Sequence, residues 1–80
     1  MSKQSDGQKV RSTRQLGHVI KRERNTQGFS QNDLAEKSGL RQAGVSLVES
    51  GAKGVRLETL FKLLAALDLE IVVQNRKKGQ

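Results

Sequence analysis

The sequence predicts an all-α protein in which four short helices form one compact domain and a single β-strand follows them. Its 80 residues suffice for one small domain, since typical domains have about 100–150 residues. Four segments carry apolar residues at helical spacing, and glycine or serine residues separate these segments. The last apolar segment instead alternates and is rich in β-branched residues, which is typical of a strand.

The first predicted helix covers residues 13–27. Ser12 is its expected N-cap, and Gln15, three residues later, completes a capping-box pattern. Its apolar face is formed by Leu16, Val19 and Ile20. This face ends in a charged residue, Arg24, and Gly28 supplies the left-handed residue that stops the helix.

Two shorter helices follow. Ser30 is the expected N-cap of the second helix, with Asp33 at the third position, and Gly39 ends it. The third helix covers residues 42–49, and Arg41 occupies its N-cap position, where Ser, Thr or Asp would suit better. The apolar residues directed inward are Leu34, Ala35, Val45 and Val48.

The fourth predicted helix covers residues 57–67. Its apolar stripe consists of Leu57, Leu60, Phe61, Leu64 and Leu67. Asp68 interrupts the pattern, and residues 69–75 form the predicted strand, since β-branched residues alternate there. A strand needs a hydrogen-bonding partner, and no other segment resembles one. The segment therefore either pairs with a second copy of the chain or is a frayed extension of the fourth helix. The residues expected to dimerise are Leu69, Ile71, Val72 and Val73.

The chain is strongly basic, with 15 Lys and Arg residues against 8 Asp and Glu residues and a formal net charge of +7. Residues 1–11 are poor in apolar side chains, so we expect a flexible basic arm before the domain at residues 12–68. Residues 76–80 form a basic tail. This charge indicates a nucleic-acid partner, although solvated basic ends without a function would give the same excess of positive charge.

The composition excludes several classes of protein. Cysteine is absent and His18 is the single histidine, so no disulfide framework, zinc finger or ordinary transition-metal site is expected within one chain. No apolar run approaches the roughly 18 residues of a membrane span, and we expect a cytoplasmic protein without a cofactor. No arrangement of catalytic side chains indicates an enzyme. Phe29 and Phe61 fit core positions, which disfavours RNA binding by base stacking.

The second and third helices have the spacing of a helix-turn-helix. With Gln31 as the first position, the fifth is Ala35, which is small enough for two helices to cross closely. The ninth is Gly39, which suits a left-handed turn. The fifteenth and eighteenth, Val45 and Val48, are apolar and would seat the third helix on the second.

Two opposite charges lie at the inward edges of separate helices. Arg24 follows Ile20 by four residues, and Glu49 follows Val45 by four residues. Either they form a partly buried ion pair between the first and third helices, or each side chain reaches solvent from the rim of the core.

Residues 16–67 resemble the λ-repressor-like, or Cro/C1-type, helix-turn-helix family. The matching motifs are Leu16-Gly17, Ile20-Lys21, Arg24, Gly28-Phe29-Ser30-Gln31, Leu34-Ala35, Gly39-Leu40, Val45-Ser46, Glu49-Ser50-Gly51 and Leu57-Glu58-Thr59-Leu60. The resemblance implies a compact four-helix DNA-binding domain. It also implies that Arg24 and Glu49 pair, as the matching residues do in that family.

The end of the chain is similar to a narrower group, the HipB-type antitoxins. The similarity is carried by the strand, which stands where the general family usually adds a fifth helix, and by the run Arg41-Gln42-Ala43-Gly44-Val45-Ser46. It implies an autorepressor that dimerises through a small intermolecular sheet, binds a palindromic operator in double-stranded DNA and binds a HipA-type serine/threonine kinase toxin. The alternative is a phage-type or housekeeping regulator without a toxin partner, and the adjacent gene would distinguish the two.

The outward side chains of the third helix would face the major groove of DNA. The candidates for reading bases are Arg41, Gln42, Ala43, Ser46 and Leu47. Gln42 suits an adenine edge, and Arg41 suits either a guanine edge or a phosphate. Leu47 departs from the polar residue often found in the family, so it contacts a thymine methyl group or no base. The phosphate candidates are Ser30, Gln31, Lys53 and Arg14. The first two lie at a helix start, which favours an anion. For Lys53 a solvated charge fits the sequence equally well, and for Arg14 it fits better.

Overall fold

A computed structural model of the protein describes residues 7–76. These residues form four α-helices, namely α1 (Thr13–Thr26), α2 (Gln31–Ser38), α3 (Gln42–Glu49) and α4 (Leu57–Ala66). All four predicted helices are thereby confirmed, with boundaries that differ by at most one residue. The ends of the predicted arm and tail, residues 1–6 and 77–80, lie outside the described residues.

The helices begin where the capping residues predict. At α2 the capping box is complete, because Ser30 Oγ accepts from the Asp33 amide at 3.0 Å and the Asp33 carboxylate accepts from the Ser30 amide at 2.8 Å. At α1 only half of the box forms. Ser12 Oγ accepts from the Gln15 amide at 3.0 Å, whereas the Gln15 side chain accepts from the Arg11 amide at 2.6 Å.

All four helices contribute to the hydrophobic core. Its buried members are Ile20, Leu34, Ala35, Val45, Val48, Leu60, Leu63, Leu64 and Leu67. The predicted stripe of α4 is wrong at two positions, since Leu57 and Phe61 are 68% and 52% exposed. Leu63, which the prediction left out, is fully buried instead. The reason is that the side of α4 with Leu60, Leu63 and Leu64 faces the other helices, whereas the side with Leu57 and Phe61 faces solvent.

Helix α1 lies unusually close to the end of α3. A Cβ atom at Gly17 would be 2.5 Å from the carbonyl oxygen of Val48 and 2.6 Å from that of Glu49, so any larger residue would force the helices apart. The Thr13 hydroxyl donates to the carbonyl oxygen of Gly51 at 2.9 Å and fixes the same contact. This approach places the charged end of the α1 face against α3.

Residues 69–75 do not form the predicted strand, and no strand occurs among residues 7–76. The physical reason is that a strand requires a partner, and one copy of the chain supplies none. The predicted strand is therefore not confirmed, whereas the alternative, an extension of α4, is wrong, because Asp68 has a φ of +60° and ends the helix. The amide of Leu69 donates to the carbonyl oxygen of Leu64 at 2.8 Å, and the Leu69 side chain packs against the hydrophobic core of the same chain. The large apolar side chains that the segment exposes are Ile71, Val72 and Val73.

The described part of the predicted arm lies against the domain. Residues 7–11 have no regular secondary structure, and part of them lines one groove together with residues 72–76. Val10 is partly buried and shares a second groove with Leu16 and Leu69. In the described segment, no helix is long and apolar enough to cross a membrane.

Candidate DNA-binding surface

Helices α2 and α3 form a helix-turn-helix. Gly39 ends α2 with a φ of +73°, a conformation that favours glycine. The amide of Leu40 then donates to the carbonyl oxygen of Ala35 at 2.9 Å and closes the turn. Ala35, Val45 and Val48 are buried where the two helices meet, as the spacing predicts.

Helix α3 presents its opposite face to solvent. Arg41, Gln42, Ala43 and Leu47 are exposed, and Ser46 is half-buried. The five residues predicted to read bases therefore lie together on the outward side of this helix. Arg41 forms no side-chain hydrogen bond to the start of α3, so its guanidinium is not used as a cap. Such a helix is narrow enough to enter the major groove, where donors, acceptors and methyl groups identify each base pair.

Arg24 and Glu49 form a buried ion pair that joins α1 to α3. Arg24 Nε donates to Glu49 Oε2 at 2.6 Å and Arg24 Nη2 donates to Glu49 Oε1 at 3.0 Å, which is a bidentate geometry. The side chains are 9% and 3% exposed, so they do not reach solvent from the rim. Arg24 Nη1 also donates to the carbonyl oxygen of Phe29 at 2.8 Å. The guanidinium thereby ties the segment before α2 to the same pair.

The environment keeps Glu49 ionised. Burial raises the pKa of its carboxyl group, but hydrogen bonds from Arg24 and Gln31 oppose this effect, together with the charges of Arg24 and Lys21. The net result is a pKa below the ordinary value for glutamate. In turn, the hydrogen bond to Glu49 raises the pKa of Arg24 above its usual value. The pair is therefore fully charged at neutral pH.

Gln31 connects this ion pair to the outward face of α3. Gln31 Nε2 donates to Glu49 Oε1 at 3.0 Å, and Gln31 Oε1 accepts a hydrogen bond from Gln42 Nε2. For Gln31 the sequence predicts a phosphate contact alone, and this link between the ion pair and α3 is not part of that prediction. The available signal was that each glutamine is the first residue of its helix, and the motif brings these helix starts together.

The candidate phosphate ligands form two groups. Ser30 and Gln31 lie at the start of α2, beside Gln42. The Ser30 amide donates to Asp33, and the amides of Asp33 and Leu34 donate to Ser30. A phosphate there would therefore be bound by the Ser30 hydroxyl and by the amides of residues 31 and 32. The other group is Arg14 and Lys53. A Cβ atom at Gly51 would be 2.8 Å from the Cα of Arg14, which places Arg14 beside the loop that carries Lys53.

The groups that this surface offers to a ligand are charges and hydrogen-bond donors and acceptors. Between residues 7 and 76, no cluster of three or more His, Cys, Asp or Glu side chains could hold a metal ion.

Comparison with known proteins gives the same motif. The helix-turn-helix family matches residues 20–74. Antitoxin HipB of Escherichia coli strain K12 is 36% identical over 72 residues, which span 90% of this chain and 82% of that protein.

Two solved structures extend the comparison to three dimensions. A chain of the HipA-HipB-O2-O3 complex matches with a TM-score of 0.83 and 35% identity, covering 89% of this chain and all 100% of that chain. The restriction-modification controller protein C.AhdI from Aeromonas hydrophila matches with a TM-score of 0.67 and 38% identity, covering 72% of this chain and 88% of the other. On the sequence match, the fold and the helix-turn-helix geometry together, the chain belongs to the Cro/C1-type helix-turn-helix family and, within it, to the HipB-type antitoxins.

Proposed function

We propose that this protein is a sequence-specific repressor that binds double-stranded DNA and serves as the antitoxin of a HipA-type kinase operon in the bacterial cytoplasm, where it represses its own promoter. The observation that carries the proposal is the exposed face of α3, on which Gln42 is held by Gln31 in front of the buried Arg24–Glu49 pair. A side chain that is held in place before it meets DNA loses less conformational freedom on binding, and the hydrogen bond from Gln42 to Gln31 holds Gln42 in this way.

The chemistry of the surface suits DNA on both sides of α3. Gln42 would read adenine, Arg41 a guanine edge or a phosphate, and Ala43 a thymine methyl group. Ser30 and the first amides of α2 would bind one backbone phosphate, because the positive end of a helix dipole favours an anion. Arg14 and Lys53 would bind another beyond the opposite end of α3. The net charge of +7 adds long-range attraction to the duplex.

The proposed active form is a homodimer. Ile71, Val72 and Val73 are 47%, 71% and 92% exposed, and an apolar β-branched segment of this kind is stabilised when it pairs with another strand. Two copies related by a two-fold axis would form a two-stranded antiparallel sheet. The axis would place two α3 helices about one turn of DNA apart, roughly 34 Å, as a palindromic operator requires.

The kinase partner is proposed from the similar proteins. One solved relative at 35% identity is assembled with HipA and O2-O3. The competing function is a regulator without a toxin partner, and the similarity to the controller protein C.AhdI favours it. A kinase-like reading frame next to this gene, whose product co-purifies with the chain after co-expression, would favour the antitoxin. Absence of such a frame would favour the plain regulator.

The DNA-binding function is tested by fluorescence anisotropy. The full chain is titrated into a labelled duplex from the region upstream of its own gene and into a scrambled duplex of equal length and composition. We expect the promoter duplex to bind at least about 1,000-fold more tightly than the scrambled one. Equal affinity for both duplexes would contradict sequence-specific repression.

A further inference from the structure

We infer that Glu49 is a positioning residue that sets the base preference of Gln42, by fixing through Gln31 which hydrogen-bonding atoms Gln42 presents to DNA. The inference rests on the proposed DNA-reading function and extends it to a residue that is buried and never touches DNA. Hydrogen bonds connect the side chains of Arg24, Glu49, Gln31 and Gln42 in that order, and we call this series the relay. What matters is which partner donates and which accepts in each of these bonds.

The direction is set at Glu49. An ionised carboxylate has only acceptors, and both oxygens of Glu49 already accept from Arg24. Whatever faces Glu49 from Gln31 must therefore be a donor, which is the Nε2 group found there at 3.0 Å. Because a primary amide has its donor and its acceptor on opposite sides, Gln31 Oε1 is forced toward Gln42.

The orientation of Gln31 in turn fixes the orientation of Gln42. A carbonyl oxygen can only accept, so Gln42 must turn its Nε2 toward Gln31, as the structure shows. Gln42 then retains one N–H donor and its carbonyl acceptor for the groove. Adenine presents one acceptor, N7, and one donor, N6, along its major-groove edge, whereas guanine presents two acceptors, N7 and O6. With this direction, Gln42 matches adenine and mismatches guanine.

Substitution of Glu49 by glutamine removes the constraint while keeping the shape of the side chain. The new amide can accept from Arg24 Nε with its oxygen and donate to Gln31 with its nitrogen, with loss of the hydrogen bond from Arg24 Nη2. Gln31 is then free to turn over, and it would donate to the oxygen of Gln42. Gln42 would thus direct both of its N–H donors to the groove, which matches the two acceptors of guanine. A neutral residue at position 49 is therefore expected to change the preferred base.

The test measures base preference in the full chain. Binding sites are first selected from a randomised duplex library with the wild-type protein. Gln42→Ala then identifies the position that Gln42 reads, and anisotropy measures affinity for duplexes that carry adenine or guanine there. We expect the wild type to prefer adenine by about 5- to 150-fold, which corresponds to one bidentate contact. For Glu49→Gln we expect this ratio to fall by at least about fivefold or to invert.

Two matched controls separate the relay from general damage. Arg24→Lys weakens the same buried pair but keeps the carboxylate, so it should lower the melting temperature and keep the adenine preference. Glu36→Gln makes the same charge change at an exposed site of α2 and should leave the preference unchanged. If Arg24→Lys loses the preference to the same extent as Glu49→Gln, the role of the pair is merely structural and the inference is overturned.

A second variant keeps the inference falsifiable if Glu49→Gln does not fold. Gln31→Leu interrupts the relay while the ion pair remains, so it should lose the adenine preference. If either variant keeps the wild-type ratio, the inference is overturned and the proposed function is not. The same holds if the wild type prefers a base other than adenine at that position. A wild-type chain that selects no sequence at all overturns the proposed function as well.

Discussion

The buried ion pair is the residue-scale feature on which the position of α3 depends. Replacing either Arg24 or Glu49 by alanine leaves the partner as a lone charge in a site where the side chains are 9% and 3% exposed. We expect each single variant to lose about 3–5 kcal/mol of unfolding free energy, as measured by urea denaturation. A loss within about 0.5 kcal/mol, which is typical of surface substitutions, would show that the pair does not stabilise the domain.

Acid should remove the contribution of this pair. The pKa of Glu49 in the folded chain lies below its ordinary value because hydrogen bonds and charges outweigh burial. Its contribution to stability is therefore present above the unfolded pKa of glutamate and is lost as the pH falls through the lower folded pKa. The pKa of Asp33 is also lowered, by its hydrogen bonds with Ser30. Protonation of Asp33 therefore also lowers the stability of the domain as the pH falls.

The measurement is the melting temperature across the acid range for wild type and Glu49→Gln. The melting temperature of the variant should be lower at neutral pH and should fall less steeply as the pH decreases, because the variant has no carboxylate to protonate at this site. Parallel curves for the two proteins would mean that Glu49 does not titrate with a lowered pKa.

On the DNA-facing side, the two kinds of contact should respond differently to substitution. Gln42→Ala should weaken binding to the selected operator by about 1–3 kcal/mol and leave random DNA nearly unaffected. Lys53→Ala should weaken both alike and reduce the salt slope by about one phosphate equivalent per site. Anisotropy titrations at several salt concentrations separate the two. Equal losses on operator and random DNA for Gln42→Ala would remove it from the base-reading set.

At the scale of a helix, α3 combines a poor start with an exposed cation. Arg41 is its N-cap and accepts no amide hydrogen bond with its side chain. Arg41→Ser should therefore stabilise the domain by about 0.5–2 kcal/mol, the usual value of a side-chain cap, and it should weaken DNA binding. Thermal denaturation and anisotropy measure the two effects. A variant that gains stability and keeps full operator affinity would exclude Arg41 from the interface.

At the scale of the whole molecule, assembly depends on the segment after α4. Ile71→Pro removes a backbone donor from any intermolecular sheet and fixes φ, while Ile71 is 47% exposed and lies outside the core. We expect a chain that sediments as a monomer, keeps most of its helical circular dichroism and loses most of its operator affinity. The matched control is Glu70→Gln, in the same segment, which should stay dimeric. A proline variant that remains dimeric and binds normally would refute the shared sheet.

The sequence by itself determined the helices, because their limits are set by local chemistry. Ser30 and Asp33 can satisfy the first amides of α2 without help from the rest of the fold, and Gly39 ends the helix with a backbone conformation that other residues adopt at a cost. The spacing of Ala35, Val45 and Val48 then predicted how α2 and α3 cross. It placed the outward residues of α3 on one face without any knowledge of the other helices.

Only the tertiary structure decided the features that depend on more than one segment. Helical spacing in α4 permits two neighbouring apolar stripes, and the packing of the other helices chose the one with Leu63 over the one with Leu57 and Phe61. The segment at residues 69–75 has strand-like composition, yet a strand exists only with a partner. The link from Glu49 through Gln31 requires α1, α2 and α3 to meet at one point. No spacing within a single helix contains that information, because hydrogen bonds between side chains are set by the distances between elements.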